Sequence, residues 1–103
     1  MAVNIVPIST SSKAAIGIEA SWEDGQYVMI ITDKGIVSCG IIDKEVVEKV
    51  GYATALAYGT PEKQLITVDD LLNAKTKEVS SKAKEYGVLA GMTGREALEL
   101  LSK

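Results

Sequence analysis

Between residues 27 and 42 the chain reads YVMIITDKGIVSCGII, two apolar runs of strand length separated by Asp33, Lys34 and Gly35. Side chains alternate across a strand. Tyr27, Met29 and Ile31 therefore face one way and Val28 and Ile30 the other, and both faces are apolar. Such a strand is expected in the middle of its sheet with cover on both sides, one cover being the chain's own helices and the other a partner subunit. The returning run, residues 36–42, places Val37, Cys39 and Ile41 opposite Ile36, Ser38, Gly40 and Ile42. A glycine inside a strand marks a bulge or a close approach to the backbone, so Gly40 is a candidate gap.

Upstream, residues 14–22 alternate cleanly, with Ile16, Ile18, Ala20 and Trp22 on one face and Ala15, Gly17, Glu19 and Ser21 on the other. Asp24-Gly25 between two such runs is a hairpin signal. Residues 1–8 read as a strand that Pro7 restricts to an edge or to a lead-in. Three successive strands then form a meander. Downstream, Asp43 is a plausible N-cap for DKEVVEKVG, with Val46, Val47 and Val50 as its apolar face and Gly51 as its terminating glycine. Residues 52–58 read as a strand by position. Thr67 to Asp70 has capping-box spacing ahead of a short helix through Leu72. Residues 74–79 are a candidate strand, the alternative being one helix from Thr67 to Tyr86. Residues 80–86 form a helix that places Val79, Ala83 and Tyr86 on one face and stops at Gly87. Thr93 with Glu96 is a second capping box, opening a last helix that buries Ala97, Leu98 and Leu101. Strands early and helices late predict an α+β fold, a two-layer sandwich in which a mainly antiparallel sheet is covered by C-terminal helices.

The 103 residues fit one domain, residues 1–103, with an ordinary balance of 47% hydrophobic and 24% charged residues. A net charge of −3 argues against nucleic acid, whose phosphates call for a basic face. No run reaches the roughly 18 apolar residues of a membrane span, and the N-terminus lacks the pattern of a signal peptide. With a single Cys no intramolecular disulfide forms, and the expected location is cytoplasmic. There is no His, which removes Ser-His-Asp and Cys-His catalysis and His-ligated metals. No metal site and no cofactor are expected. Phe is absent too, so Leu, Ile, Val, Tyr27 and Trp22 are left to fill the core.

Two places carry candidate chemistry. Cys39 is the only thiol, beside Gly40; its plain reading is a buried small hydrophobe, and its functional reading is the lining of a pocket near the helix that Asp43 opens. Gly91-Met92-Thr93-Gly94-Arg95 is the other. Two glycines expose backbone N–H groups ahead of a helix N-terminus, which favours an anion, and Arg95 in the first turn sits against the helix dipole. An anionic ligand, Asp69 or Asp70, or a partner chain would account for it. The plain reading is a helix start satisfied by its own capping box. Asp43, Asp69, Asp70 and Glu96 could form an acid–base pair, but acidic residues are favoured at helix starts in any case.

The C-terminal third carries a resemblance. Val68 to Lys75 (VDDLLNAK), Glu78-Val79-Ser80, Ala83, Gly87 and above all Gly91 to Leu98 (GMTGREAL) resemble the YunC-like family, a domain of unknown function in bacteria and archaea. Gly17-Ile18-Glu19 and Lys34 to Gly40 fit it as well, so the resemblance covers nearly the whole chain. It implies a small two-layer α+β domain and brings no catalytic residues. The leading functional expectation is a ligand-binding or regulatory module acting as a homo-oligomer, with Cys39, Gly40, Gly91, Thr93, Gly94 and Arg95 around a small anionic ligand. The rivals are a small enzyme using Cys39 or a carboxylate with Arg95, and a structural interaction domain.

Overall fold

The computed structural model describes all residues, 1–103. The elements run β1 (Ala2–Ser9), β2 (Ala14–Trp22), β3 (Gly25–Ile31), β4 (Gly35–Cys39), α1 (Lys44–Val50), β5 (Ala53–Ala57), α2 (Val68–Asn73), β6 (Thr76–Val79), α3 (Ser81–Glu85) and α4 (Gly94–Leu101). The six strands form one sheet in sequence order. β1 to β4 are an antiparallel meander, β5 runs parallel to β4, and β6 returns antiparallel. The fold is α+β, as the strand-then-helix order implies. The parallel pair makes the sheet mixed, because α1 carries the chain back from the end of β4 to the start of β5.

α2 and α4 cover one face. Against them the sheet presents Ile8, Ala15, Val28, Ile30, Val37 and the alanines of β5, all buried, and the helices contribute Val68, Leu71, Leu72, Ala97, Leu98 and Leu101. Full burial of each Leu, Ile or Val is worth about 1.5–3 kcal/mol. α1 lies on the opposite face, where its one buried residue, Val47, and Leu56 of β5 stand outside the main core. Ile36–Ile42 was expected as one strand; β4 ends at Cys39, because the Tyr58 ring lies against Gly40 and Asp43 caps the next helix. The strand expected over residues 74–79 forms as β6, and no continuous helix runs from Thr67 to Tyr86, since Ala74 adopts extended backbone.

One expectation about the core, that Trp22 helps to fill it, is overturned. On β2 the buried face is Ala15 and Gly17, while Ile16 and Trp22 stand 43% and 47% exposed. The reason is proximity: a Cβ at Gly17 would come within 2.6 Å of Val68 Cγ2, so α2 packs where β2 carries its smallest residues. Trp22 is therefore not a core residue. On α1 only Val47 is buried; Val46 and Val50 are half exposed.

The helix caps follow the sequence closely. Asp43 Oδ1 accepts from Glu45 N, and Gly51 ends α1 in the left-handed region at φ 81°. Thr67 with Asp70, and Thr93 with Glu96, form complete capping boxes. Accepting the Thr67 N–H lowers the Asp70 carboxyl below its ordinary range, and the Thr93 N–H does the same for Glu96. Glu48, accepting from Ser81 N, and Glu99, accepting from the Ser11 hydroxyl and N–H, are lowered too. A carboxyl lowered in the folded state contributes stability that is present above its unfolded pKa and is lost as pH falls through the folded value. The urea midpoint should therefore hold from neutral pH to about pH 5 and fall steadily toward about pH 3. A midpoint that rises on acidification would mean that these carboxylates do not hold the helix starts.

Candidate functional site

The strand β5 is buried over its whole length. Ala53, Ala55 and Ala57 face α4, and the alternation puts Thr54 and Leu56 on the side of α1. α1 is held over them by its two caps and by two ties to the β6 side. Lys44 Nζ pairs with Glu78 Oε1 at 3.3 Å, and Glu48 Oε1 accepts from Ser81 N at 2.9 Å. Because α1 has only Val47 to bury, it does not close onto the sheet. A cavity of about 380 Å³ lies beneath it, with Thr54, Leu56 and Ser80 among its lining and Val47, Glu45 and Lys49 on the helix side.

The buried hydroxyls of the chain are unevenly served. Five polar residues are buried: Ser38, Thr54, Thr76, Ser80 and Ser102. Ser80 Oγ donates to Tyr52 O and accepts from Thr54 N; Ser38, Thr76 and Ser102 each donate to a backbone carbonyl. Thr54 Oγ1 alone has no partner, in a residue 1% exposed. Leaving a buried hydroxyl unpaired costs about 1–3 kcal/mol, and such a group calls for an explanation. Lys49, above it, belongs to none of the four ion pairs.

The residues singled out from the sequence fall in two places. Gly91, Thr93, Gly94 and Arg95 form one turn, but its donors are already used. Gly91 N donates to Thr76 O and Gly94 N to Ala74 O, both at 2.8 Å, and Glu96 N donates to Thr93 Oγ1 at 3.1 Å. Arg95 Nη1 donates to Ser9 O at 3.1 Å and pairs with Glu99 Oε2 at 3.5 Å. Its carboxylate partner is thus Glu99, one helical turn on, and not Asp69 or Asp70. Cys39 and Gly40 sit elsewhere, two strands from that turn along the row Cys39–Ala57–Thr76. Cys39 is half-buried and packs against the core. The gap at Gly40 is filled by the Tyr58 ring. Asp43, Asp70 and Glu96 are caps of separate helices, not an acid–base pair, and no group of three or more carboxylate or thiol side chains is placed to hold a metal ion. Thr54 was missed by sequence reasoning. The alternation in YATALAY was its one signal, since it sets a lone hydroxyl beside Leu56 and opposite three alanines.

A six-stranded mixed sheet with α2, α3 and α4 on the side of the main core and the short helix α1 on the other defines a small α+β domain. Residues 38–101 match DUF1805, a domain of unknown function, and the chain belongs to that family. Along nearly its whole length it is similar to the uncharacterized protein YunC of Bacillus subtilis, with 28% identity over 105 residues covering 98% of this chain and 99% of that protein. It is also similar to the crystal structure of TA1206 from Thermoplasma acidophilum, a protein of unknown function. That likeness has a TM-score of 0.87 and 26% identity, and it covers 98% of this chain and 94% of the other. No helix is long and apolar enough to cross a membrane.

Proposed function

We propose that the chain is a cytoplasmic ligand-binding module that acts as a homo-oligomer, and that its ligand is a small anionic molecule held beneath α1. The observation that carries this reading is the unpartnered hydroxyl of Thr54, a residue of the cavity lining. A ligand oxygen would supply the missing hydrogen bond, Leu56 and Val79 would take its apolar part, and Lys49 would meet its charge. Glu45, also on the lining, would accept from an amine on a ligand that carries one. The Gly91–Arg95 turn is not used in this reading, because its donors are bound within the chain.

Thr54→Val is the test. It keeps the shape of the side chain and removes the orphaned hydroxyl. Without ligand the variant should be more stable by about 1 kcal/mol, a rise in Tm of about 4–8 °C for a domain of this size. Native mass spectrometry on protein purified gently from cells should find a small molecule on the natural chain and none on the variant. A variant less stable than the natural chain, with an unchanged ligand profile, would sink the reading.

A further inference from the structure

The face of the sheet away from α2 and α4 is open over β1 to β3. Ile5, Ile18 and Met29 are aligned across the three strands in one row, and Ile16 and Ile31 in the next. Ile5 is 69% exposed, Trp22 47%, Ile16 43% and Ile31 40%. With Val3 at 59%, these residues form one continuous apolar face across three strands, and an exposed apolar patch of that extent marks an interaction surface.

The face carries no charge. Across β1, β2 and β3 the only charged residue is Glu19. It points to the other side, where it accepts from Val68 N at 2.7 Å and Asn4 Nδ2 at 3.3 Å. This absence bears on the identity of the occupant. In a two-fold contact the same patch meets itself, so a charged side chain near the axis faces its own twin, and like charges so placed are costly. A chain of net charge −3 repels its copy over most of its surface, and here it has nothing to repel with. Pro7 lies on the free edge strand β1 and removes a donor there, which disfavours joining two sheets edge to edge.

We infer that a second copy of the chain packs on this face, sheet against sheet, as a two-fold dimer. The inference rests on the homo-oligomeric part of the proposed function and is independent of the cavity under α1. It gives the assembly its surface and its contacts, with Ile16, Ile18 and Met29 near the centre.

Trp22 is the only tryptophan and stands on the open face, so the unaltered chain reports on itself. Sedimentation equilibrium should show a dimer. Dilution to monomer should move the Trp22 emission to longer wavelength and make it more accessible to acrylamide. Ile5→Glu and Ile16→Glu should each weaken dimerisation at least 100-fold while the far-ultraviolet circular dichroism stays as it was. Leu89→Glu, at an equally exposed apolar residue of the loop before α4, should leave the dimer intact. A natural chain that stays monomeric at every concentration overturns the homo-oligomer and this dimer together. If that monomer instead binds lipid vesicles or another protein through the face, the occupant is not a second copy and the inference fails equally. A dimer that survives both glutamates, or that dissociates with no change at Trp22, overturns the face and leaves self-association standing. Should a glutamate variant fail to fold, the dilution experiment on the natural chain still decides.

Discussion

Gly94→Ala should cost the protein about 3 kcal/mol or more, a large share of the roughly 5–15 kcal/mol that holds such a domain folded. Gly94 is the first residue of α4 and is buried. An added Cβ would overlap the Leu71 carbonyl oxygen, with Leu71 C at 3.0 Å and Leu72 Cα at 3.1 Å. All three atoms are backbone of α2, so no side chain can rotate out of the way; the two helices must move apart. They hold Leu71, Leu72 and Leu98 between them and the sheet, and separation would expose that core. The Gly94 N–H bond to Ala74 O would open as well. The sign of the effect is informative. In an unconstrained helix Gly→Ala stabilises by about 1 kcal/mol, so a urea midpoint above that of the natural chain would show that α2 and α4 are not in backbone contact. Gly17→Ala should be milder, because its Cβ meets the Val68 side chain at 2.6 Å, and a methyl can shift where a carbonyl cannot.

Gly94 also marks the limit of what the sequence could say. GMTGREAL looked like a helix start that frees backbone donors for an anion. Its capping box was legible, because Thr93 and Glu96 act on each other over three residues. The reason for the glycine was not, because it lies in a helix more than twenty residues away in sequence. The same division runs through the chain. Asp43, Gly51, Thr67, Gly87 and Thr93 stood out because caps are local chemistry, and the hairpins stood out because their turns are short. The buried face of β2 did not stand out. Alternation divides a strand into two faces without saying which lies inward, and the more apolar face of β2, with Trp22, lies outward. The helices chose the face with the smaller residues instead, since Ala15 and Gly17 let α2 approach. The parallel pairing of β5 was signalled by the helix between two strand-like runs, but it was outweighed by the three antiparallel strands before it. Thr54 needed that pairing, because its neighbours across the sheet and above it decide whether its hydroxyl finds a partner.

Ile30 and Ile31 offer the sharpest test of which face is inside. They are the same residue type, adjacent on β3, and they point to opposite sides. Ile30 is fully buried, level with Gly17 on β2 and Val37 on β4. Ile31 is 40% exposed, level with Ile16 and Ile36. Ile30→Ala removes three carbons from the packed face under the helices and should cost about 2–5 kcal/mol, the range for emptying a core site that cannot collapse. Ile31→Ala, measured in dilute solution where the chain is a monomer, should cost under about 1 kcal/mol, because most of what it removes was in contact with water. Equal losses would mean that both faces are covered within one chain, and that α2 and α4 do not distinguish the Ile30 side from the Ile31 side. The protein concentration supplies a further discriminant. If a second copy covers the Ile31 face, the cost of Ile31→Ala should grow as the concentration rises, since it then includes the lost dimer contact. The cost of Ile30→Ala should not change, because Ile30 is buried within the chain itself, dimer or no dimer.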